Sequence, residues 1–165
     1  MMHRMTKVFD VGEKLINGII SVLLMLMTIV IFYQVVLRYA FQAANIWAEE
    51  FARYAFIWVV LLGSASAMRN SKHIKIDFLV DGFSDRSKWV LNNFVCLAMG
   101  SFLFCLAVYG FKIALKTGNQ LSAGLHVPMS FMYMSIPVGA VLMLLALVER
   151  LLEINVKSPS TGLAE

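Results

Sequence analysis

Charge is sparse in this sequence. Only 15% of its 165 residues are Asp, Glu, Lys or Arg, against about a quarter in soluble domains. Histidine is scarce too. His3, His73 and His126 all lie outside the long apolar stretches. No stretch therefore offers the inward-facing imidazole that a membrane haem protein needs. The two cysteines, Cys96 and Cys105, share one apolar stretch nine residues apart. At about 100° per residue they point to opposite sides of a helix and cannot bridge each other. They read as small apolar residues, and a quinone-linked disulfide oxidase would need reactive pairs near a surface. The sequence has no glycine-rich phosphate loop, nucleophile elbow or HExxH motif. Its net charge of +4 comes without the dense basic patch that nucleic-acid binding requires.

What the sequence does have is long hydrophobic runs. Hydrophobic residues make up 60% of it, and its mean hydropathy is +0.77. Leu15–Leu37, Trp89–Phe111 and Val127–Val148 hold no Asp, Glu, Lys, Arg or His. Each is long enough to cross a bilayer, which takes roughly 20 residues. A fourth run, Tyr54–Met68, reaches that length only if its helix begins near Trp47. The expectation is an all-α integral membrane protein with four transmembrane helices and short amphipathic interfacial segments. The spans fall at about 15–37, 47–69, 89–111 and 127–150. They form one membrane domain, residues 1–155, followed by a disordered tail over 156–165. The first run exceeds the usual ~7–15-residue signal-peptide core, and no clean cleavage site follows it, so it is expected to be retained. Residues 3–16 are amphipathic and suit a helix lying in the interface, with a frayed, solvated tail the alternative for residues 1–7. In the middle loop, Ile76, Leu79, Val80 and Phe83 make a helical apolar face, which favours a short interfacial helix. The stretch 73–80 also alternates with period two, so a strand-like reading stays open there.

Four spans put both termini on one side. Arg4, Lys7, Lys14, the middle-loop cations Arg69, Lys72, Lys75, Arg86 and Lys88, and Arg150 and Lys157 give that side ten positive residues. The other side has four: Arg38, Arg53, Lys112 and Lys116. Lysine and arginine are retained on the cytoplasmic face, so both termini are expected there.

The second span starts with charge. Trp47, Phe51, Tyr54 and Trp58 fall on one stripe of the helix, while Glu49, Glu50 and Arg53 occupy the opposite sector. Both carboxylates are spaced to reach the one guanidinium, at i, i+4 and i, i+3. Lone charges at a membrane boundary are costly, so pairing or a partner subunit is expected for them. Deeper in, the small residues from Gly63 to Ala67 would let another helix approach closely. Arg38 and Tyr39 have the character of interfacial anchors at the end of the first span. Pro128 suits the first turn of the fourth helix, and Pro137 should kink it. His73 and Asp77, at i, i+4, could supply half a metal site, but two ligands do not make one, and no metal is expected. A self-sufficient transporter would place an ionisable residue near mid-membrane. The first span offers the milder Ser21, Thr28 and Gln34. The chain has the composition of a helper subunit.

Together these residues resemble a known family. The block Trp47, Glu49, Glu50 and Arg53, then Gly63-Ser64-Ala65, Arg69 and "HIKID" at 73–77, is similar to the signature of DctQ-type small membrane subunits of tripartite ATP-independent periplasmic (TRAP) transporters. So is the pattern Pro128, Tyr133, Pro137-Val138-Gly139. The resemblance implies an inner-membrane protein without enzymatic activity or a cofactor of its own, with sodium coupling in a large partner membrane subunit. It also implies a soluble periplasmic substrate-binding protein as second partner, membrane lipids around the helices, and uptake of an organic acid of the C4-dicarboxylate or sialic acid class. Subunit-interface or docking candidates are then Trp47, Glu49, Glu50, Arg53, Trp58, Gly63, Arg38 and Tyr39, with Arg69, His73 and Asp77 as a cytoplasmic loop motif. The competing expectation is a four-helix accessory or assembly subunit of another membrane complex.

Overall fold

A computed structural model describes residues 2–43, 45–70 and 85–157. The expected positions His73 and Asp77, with residues 71–84 of the middle loop, and the tail beyond residue 157 lie outside the described residues, whereas the end of that loop, from residue 85, is already helical. Among the described residues five helices follow in order: α1 (Met2–Ala40), α2 (Ile46–Asn70), α3 (Asp85–Lys116), the single turn α4 (Ser130–Tyr133) and α5 (Ser135–Lys157). Four of them contain stretches long and apolar enough to cross a membrane: Gly12–Ala40, Ile46–Asn70, Asn93–Lys116 and Ser130–Glu149. The last of these includes α4.

The 39 residues of α1 form one continuous helix, about 58 Å long at 1.5 Å per residue. The amphipathic start and the first span therefore run on without a turn between them. No proline interrupts residues 2–40, and nothing else in the sequence forces a break. The connection to α2 is short. The amides of Phe41 and Ala43 both donate to the Leu37 carbonyl, at 3.1 and 3.2 Å, and close the end of α1.

The helices stand side by side as an open layer. Helix α1 packs along α2, α2 along α5, and α5 along α3, so the order across the layer is α1, α2, α5, α3. Burial follows that order: the two inner helices are the more buried and α1 the least. Small residues make the central seam possible. Ala55, Leu62 and Ala65 of α2 and Ala140, Ala146 and Leu147 of α5 are buried. Gly139 lies so near α2 that a Cβ there would stand 2.8 Å from the Leu61 Cβ. Close backbone approach through small residues is how helices associate where lipid and leucine are equally apolar.

The fourth span is broken at its start. Helix α4 ends at Tyr133, Met134 is a turn, and α5 begins at Ser135. Pro137 has no N–H for the Tyr133 carbonyl, and its ring crowds that carbonyl. The Ser135 hydroxyl, fully buried, donates to the Met132 carbonyl at 2.6 Å.

Candidate functional site

The charged start of α2 divides into two unlike parts. Glu49 accepts from the Arg53 guanidinium at 3.2 Å, one turn along the helix, with both side chains mostly exposed. Glu50 does not share that guanidinium, although its spacing suggested it. Its carboxylate turns away, towards the connection between α3 and α4. One oxygen accepts from the Tyr54 hydroxyl at 2.8 Å. The other accepts two consecutive backbone amides, those of Gly124 and Leu125, each at 2.8 Å. A carboxylate that receives two adjacent amides outcompetes an exposed i, i+3 ion pair, because charge-assisted bonds to fixed donors need no long side chain to be ordered.

The segment that Glu50 holds is a small hairpin. Leu121 and Pro128 form an antiparallel bridge. The Ser122 amide donates to the Val127 carbonyl at 2.9 Å, and the Met129 amide to the Gln120 carbonyl at 2.8 Å. His126, exposed in the turn, adopts a left-handed φ of 55°. Glycine is required at 124 by proximity. A Cβ there would sit 2.9 Å from Glu50 Oε2 and from the Trp47 backbone N and Cα. The hairpin thus bears directly on the first turn of α2. Pro128, expected in the first turn of the fourth helix, belongs to this hairpin, two residues before α4.

The aromatic stripe of α2 splits along its length. Trp47 is partly exposed and packs its ring against Tyr33 of α1, with centroids 6.3 Å apart. Tyr54 is buried. Trp58 packs against Phe131 of α4 at 5.8 Å, and its indole N–H is buried without a hydrogen-bond partner. Arg38 and Tyr39 are exposed at the end of α1. A Cβ added at Gly63 would meet nothing within 4 Å, in contrast to Gly139.

The other end of α2 holds a second cluster. Arg69 donates through one terminal guanidinium nitrogen to Glu13 of α1 at 2.8 Å, and through Nε to Glu149 of α5 at 3.1 Å. Nearby, the Ser66 hydroxyl donates to the Asn17 side-chain oxygen at 2.8 Å. These contacts join three helices around a cavity of about 140 Å³ whose walls include Gly12, Ile16, Ala65 and Leu142. Sequence reasoning singled out Arg69 but not Glu13, Glu149 or Asn17. The available signal was topological: in a four-span chain the start of α1, the end of α2 and the end of α5 meet at one membrane face. No group of three or more His, Cys, Asp or Glu suited to a metal ion occurs among the described residues.

Comparison with known proteins bears on this architecture. Residues 27–155 match the family model for tripartite ATP-independent periplasmic transporters, DctQ component. The sialic acid TRAP transporter small permease protein SiaQ of Vibrio cholerae is 27% identical over 143 residues, covering 84% of this chain and 83% of that protein. The C4-dicarboxylate TRAP transporter small permease protein DctQ of Rhodobacter capsulatus is 28% identical over 103 residues, or 59% of this chain and 44% of that protein. The sialic acid TRAP transporter permease protein SiaT of Haemophilus influenzae is 27% identical over 116 residues, 70% of this chain. The matched part is 19% of that longer protein, so this chain spans about a fifth of its length.

Proposed function

Because this chain belongs to the DctQ family of TRAP transporters, and so is a small permease subunit of the inner membrane and not an enzyme, we propose that it scaffolds a larger membrane subunit and helps a soluble periplasmic binding protein to dock. The complex would take up an organic acid of the C4-dicarboxylate or sialic acid class, with sodium coupling in the large subunit and no cofactor here. The relatives' names carry those two substrate classes. The observation behind the scaffold reading is the open layer. A row of four spanning helices, with α1 along one edge and α3 along the other, leaves broad apolar faces for a membrane partner. Its described charged side chains gather at the two ends of α2 and at the neighbouring helix ends.

In this reading the hairpin end is periplasmic, following the positive-inside count, and the Arg69 end is cytoplasmic. A cysteine at Asn119, with Cys96 and Cys105 replaced, should react with a membrane-impermeant thiol reagent in intact cells, and one at Ser71 should not. The scaffold role is tested by calorimetry on the purified chain and by uptake with the large subunit. The chain alone should bind neither a C4-dicarboxylate nor sialic acid, and the large subunit should lose uptake without it. Saturable, stoichiometric binding to this chain alone, or full uptake in its absence, would overturn the scaffold reading.

A further inference from the structure

The hydrogen bonds of Glu50 connect a membrane helix to an extramembrane element. Its carboxylate receives the amides of Gly124 and Leu125, residues 74 and 75 positions away in sequence, and is itself held by Tyr54 one turn along α2. The hairpin it grips has its own internal bonds, so it has a defined shape of its own. That shape is fixed to α2 at one place, where Glu50 receives its two amides and Gly124 sits close on the Trp47 backbone. Away from that seat, the hairpin turns outward Leu121, 60% exposed, together with Ala123 and His126. An apolar and imidazole-bearing surface on a rigid loop outside the bilayer suits a soluble protein partner, because such a surface loses little conformational entropy on binding.

We propose that Glu50 is a positioning residue: it sets the 120–129 hairpin on helix α2 in the orientation that the soluble binding protein reads. This rests on the reading that the chain helps that protein to dock. The role differs from general fold support. Glu50 acts through the orientation of the hairpin, so its loss should weaken the encounter with the binding protein while leaving the membrane complex able to transport once the partner is in excess.

The test uses the full membrane complex in proteoliposomes, with uptake of the transported acid measured against binding-protein concentration. Hydrogen exchange at the Gly124 and Leu125 amides is followed on the same preparations. In Glu50→Ala the half-saturating concentration of binding protein should rise about tenfold, the factor that follows from losing roughly one charge-assisted hydrogen bond's worth of ordering. The maximal rate should stay within about twofold, and exchange at the two amides should quicken. Glu50→Gln keeps an amide oxygen that can accept both N–H groups, so it should restore most of the wild-type half-saturation. Gly124→Ala lifts the hairpin from its seat while keeping the carboxylate, and should reproduce the Glu50→Ala pattern; it decides the matter if Glu50→Ala fails to fold. Unchanged half-saturation despite faster exchange would overturn the inference and leave the docking reading standing. So would a fall in maximal rate alone, which marks a merely structural residue, or unaltered exchange in Glu50→Ala. If wild-type uptake does not depend on the binding protein at all, the docking reading fails and this inference fails with it.

Discussion

Two ionic groups stand at opposite ends of helix α2, built from the same residue types and doing different things. Near its start, Arg53 and Glu49 pair at 3.2 Å with side chains 63% and 66% exposed. At its end, Arg69 reaches Glu13 and Glu149 at 2.8 and 3.1 Å, and these side chains are only 11%, 20% and 15% exposed. The first pair joins two residues that the helix already holds one turn apart. The second ties α1, α2 and α5 together across 56 and 80 positions of sequence. A charge at a membrane boundary contributes to architecture when its partner lies on another element and water is largely displaced. Exposure and connectivity decide this, and the chemistry of the ions does not.

The strongest way to break that comparison is Arg69→Ala. It strands two carboxylates in a poorly hydrated place, which costs roughly 3–5 kcal/mol for a buried group. The cavity of about 140 Å³ beside them has room for water to reach the carboxylates once the guanidinium is gone, which puts the expected loss at the lower end of that range. Denaturant unfolding of the purified chain in detergent measures it. A loss under about 1 kcal/mol, the worth of an exposed pair, would place this cluster in the same class as Glu49–Arg53. Replacing all three together, Arg69→Met with Glu13→Gln and Glu149→Gln, should recover most of the stability, since neither of these two carboxylates is then left charged and unpaired.

How much of this was legible beforehand follows from sequence distance. Four spanning helices were legible because a long apolar run admits few other structures in a bilayer. The Glu49–Arg53 pair was legible because a helix fixes i, i+4 neighbours. Glu50 was misread for the same reason: spacing along one helix pointed it at Arg53. Its real partners are Tyr54, also at i+4, and two backbone amides of a distant loop, and an amide leaves no mark in a sequence. Gly124 was the one available hint, and it resembles any loop glycine. The Arg69 cluster lay hidden across three helix ends. The layer order α1, α2, α5, α3 is a tertiary choice, set by seams such as Gly139 on Leu61, that periodicity within each helix cannot reveal.

A middle-sized effect sharpens the contrast at the Arg69 end. The Ser66 hydroxyl donates to the Asn17 side-chain oxygen, at 2.8 Å, and Ser66 is buried. Ser66→Ala should cost about 1 kcal/mol, typical of an interhelical hydrogen bond between membrane helices. This neutral bond should be insensitive to salt. Ser66 and Arg69 both face the same cavity, so the double variant Ser66→Ala with Arg69→Ala should depart from additivity by about 0.5 kcal/mol or more. Strict additivity in the same unfolding assay would mean that the hydroxyl and the ionic cluster hold the α1–α2 contact independently.

The smallest effect belongs to the pair that looked most conspicuous in the sequence. Arg53→Ala removes an interaction between two largely exposed side chains on one helix. Coulomb attraction there is weakened by water, and holding two flexible side chains in register costs entropy, so the change in stability of the chain should stay under about 0.5 kcal/mol. Raising salt to 1 M, where charges are screened beyond roughly 3 Å, should mimic the substitution in the wild-type chain and add nothing in the variant. The cluster at Arg69, being largely shielded, should respond to the same salt much less. Exchanging the pair, Glu49→Arg with Arg53→Glu, should also be nearly silent, with a slight loss because a glutamate placed N-terminal to its cation suits the helix dipole better than the reverse. Glu50 provides the internal control, since its partners are Tyr54, Gly124 and Leu125 and none of them depends on Arg53. Exchange at the hairpin amides should therefore be the same in Arg53→Ala as in wild type. Faster exchange there would mean that the two neighbouring carboxylates work as one unit, and the division between a solvated pair and an anchoring carboxylate would fail.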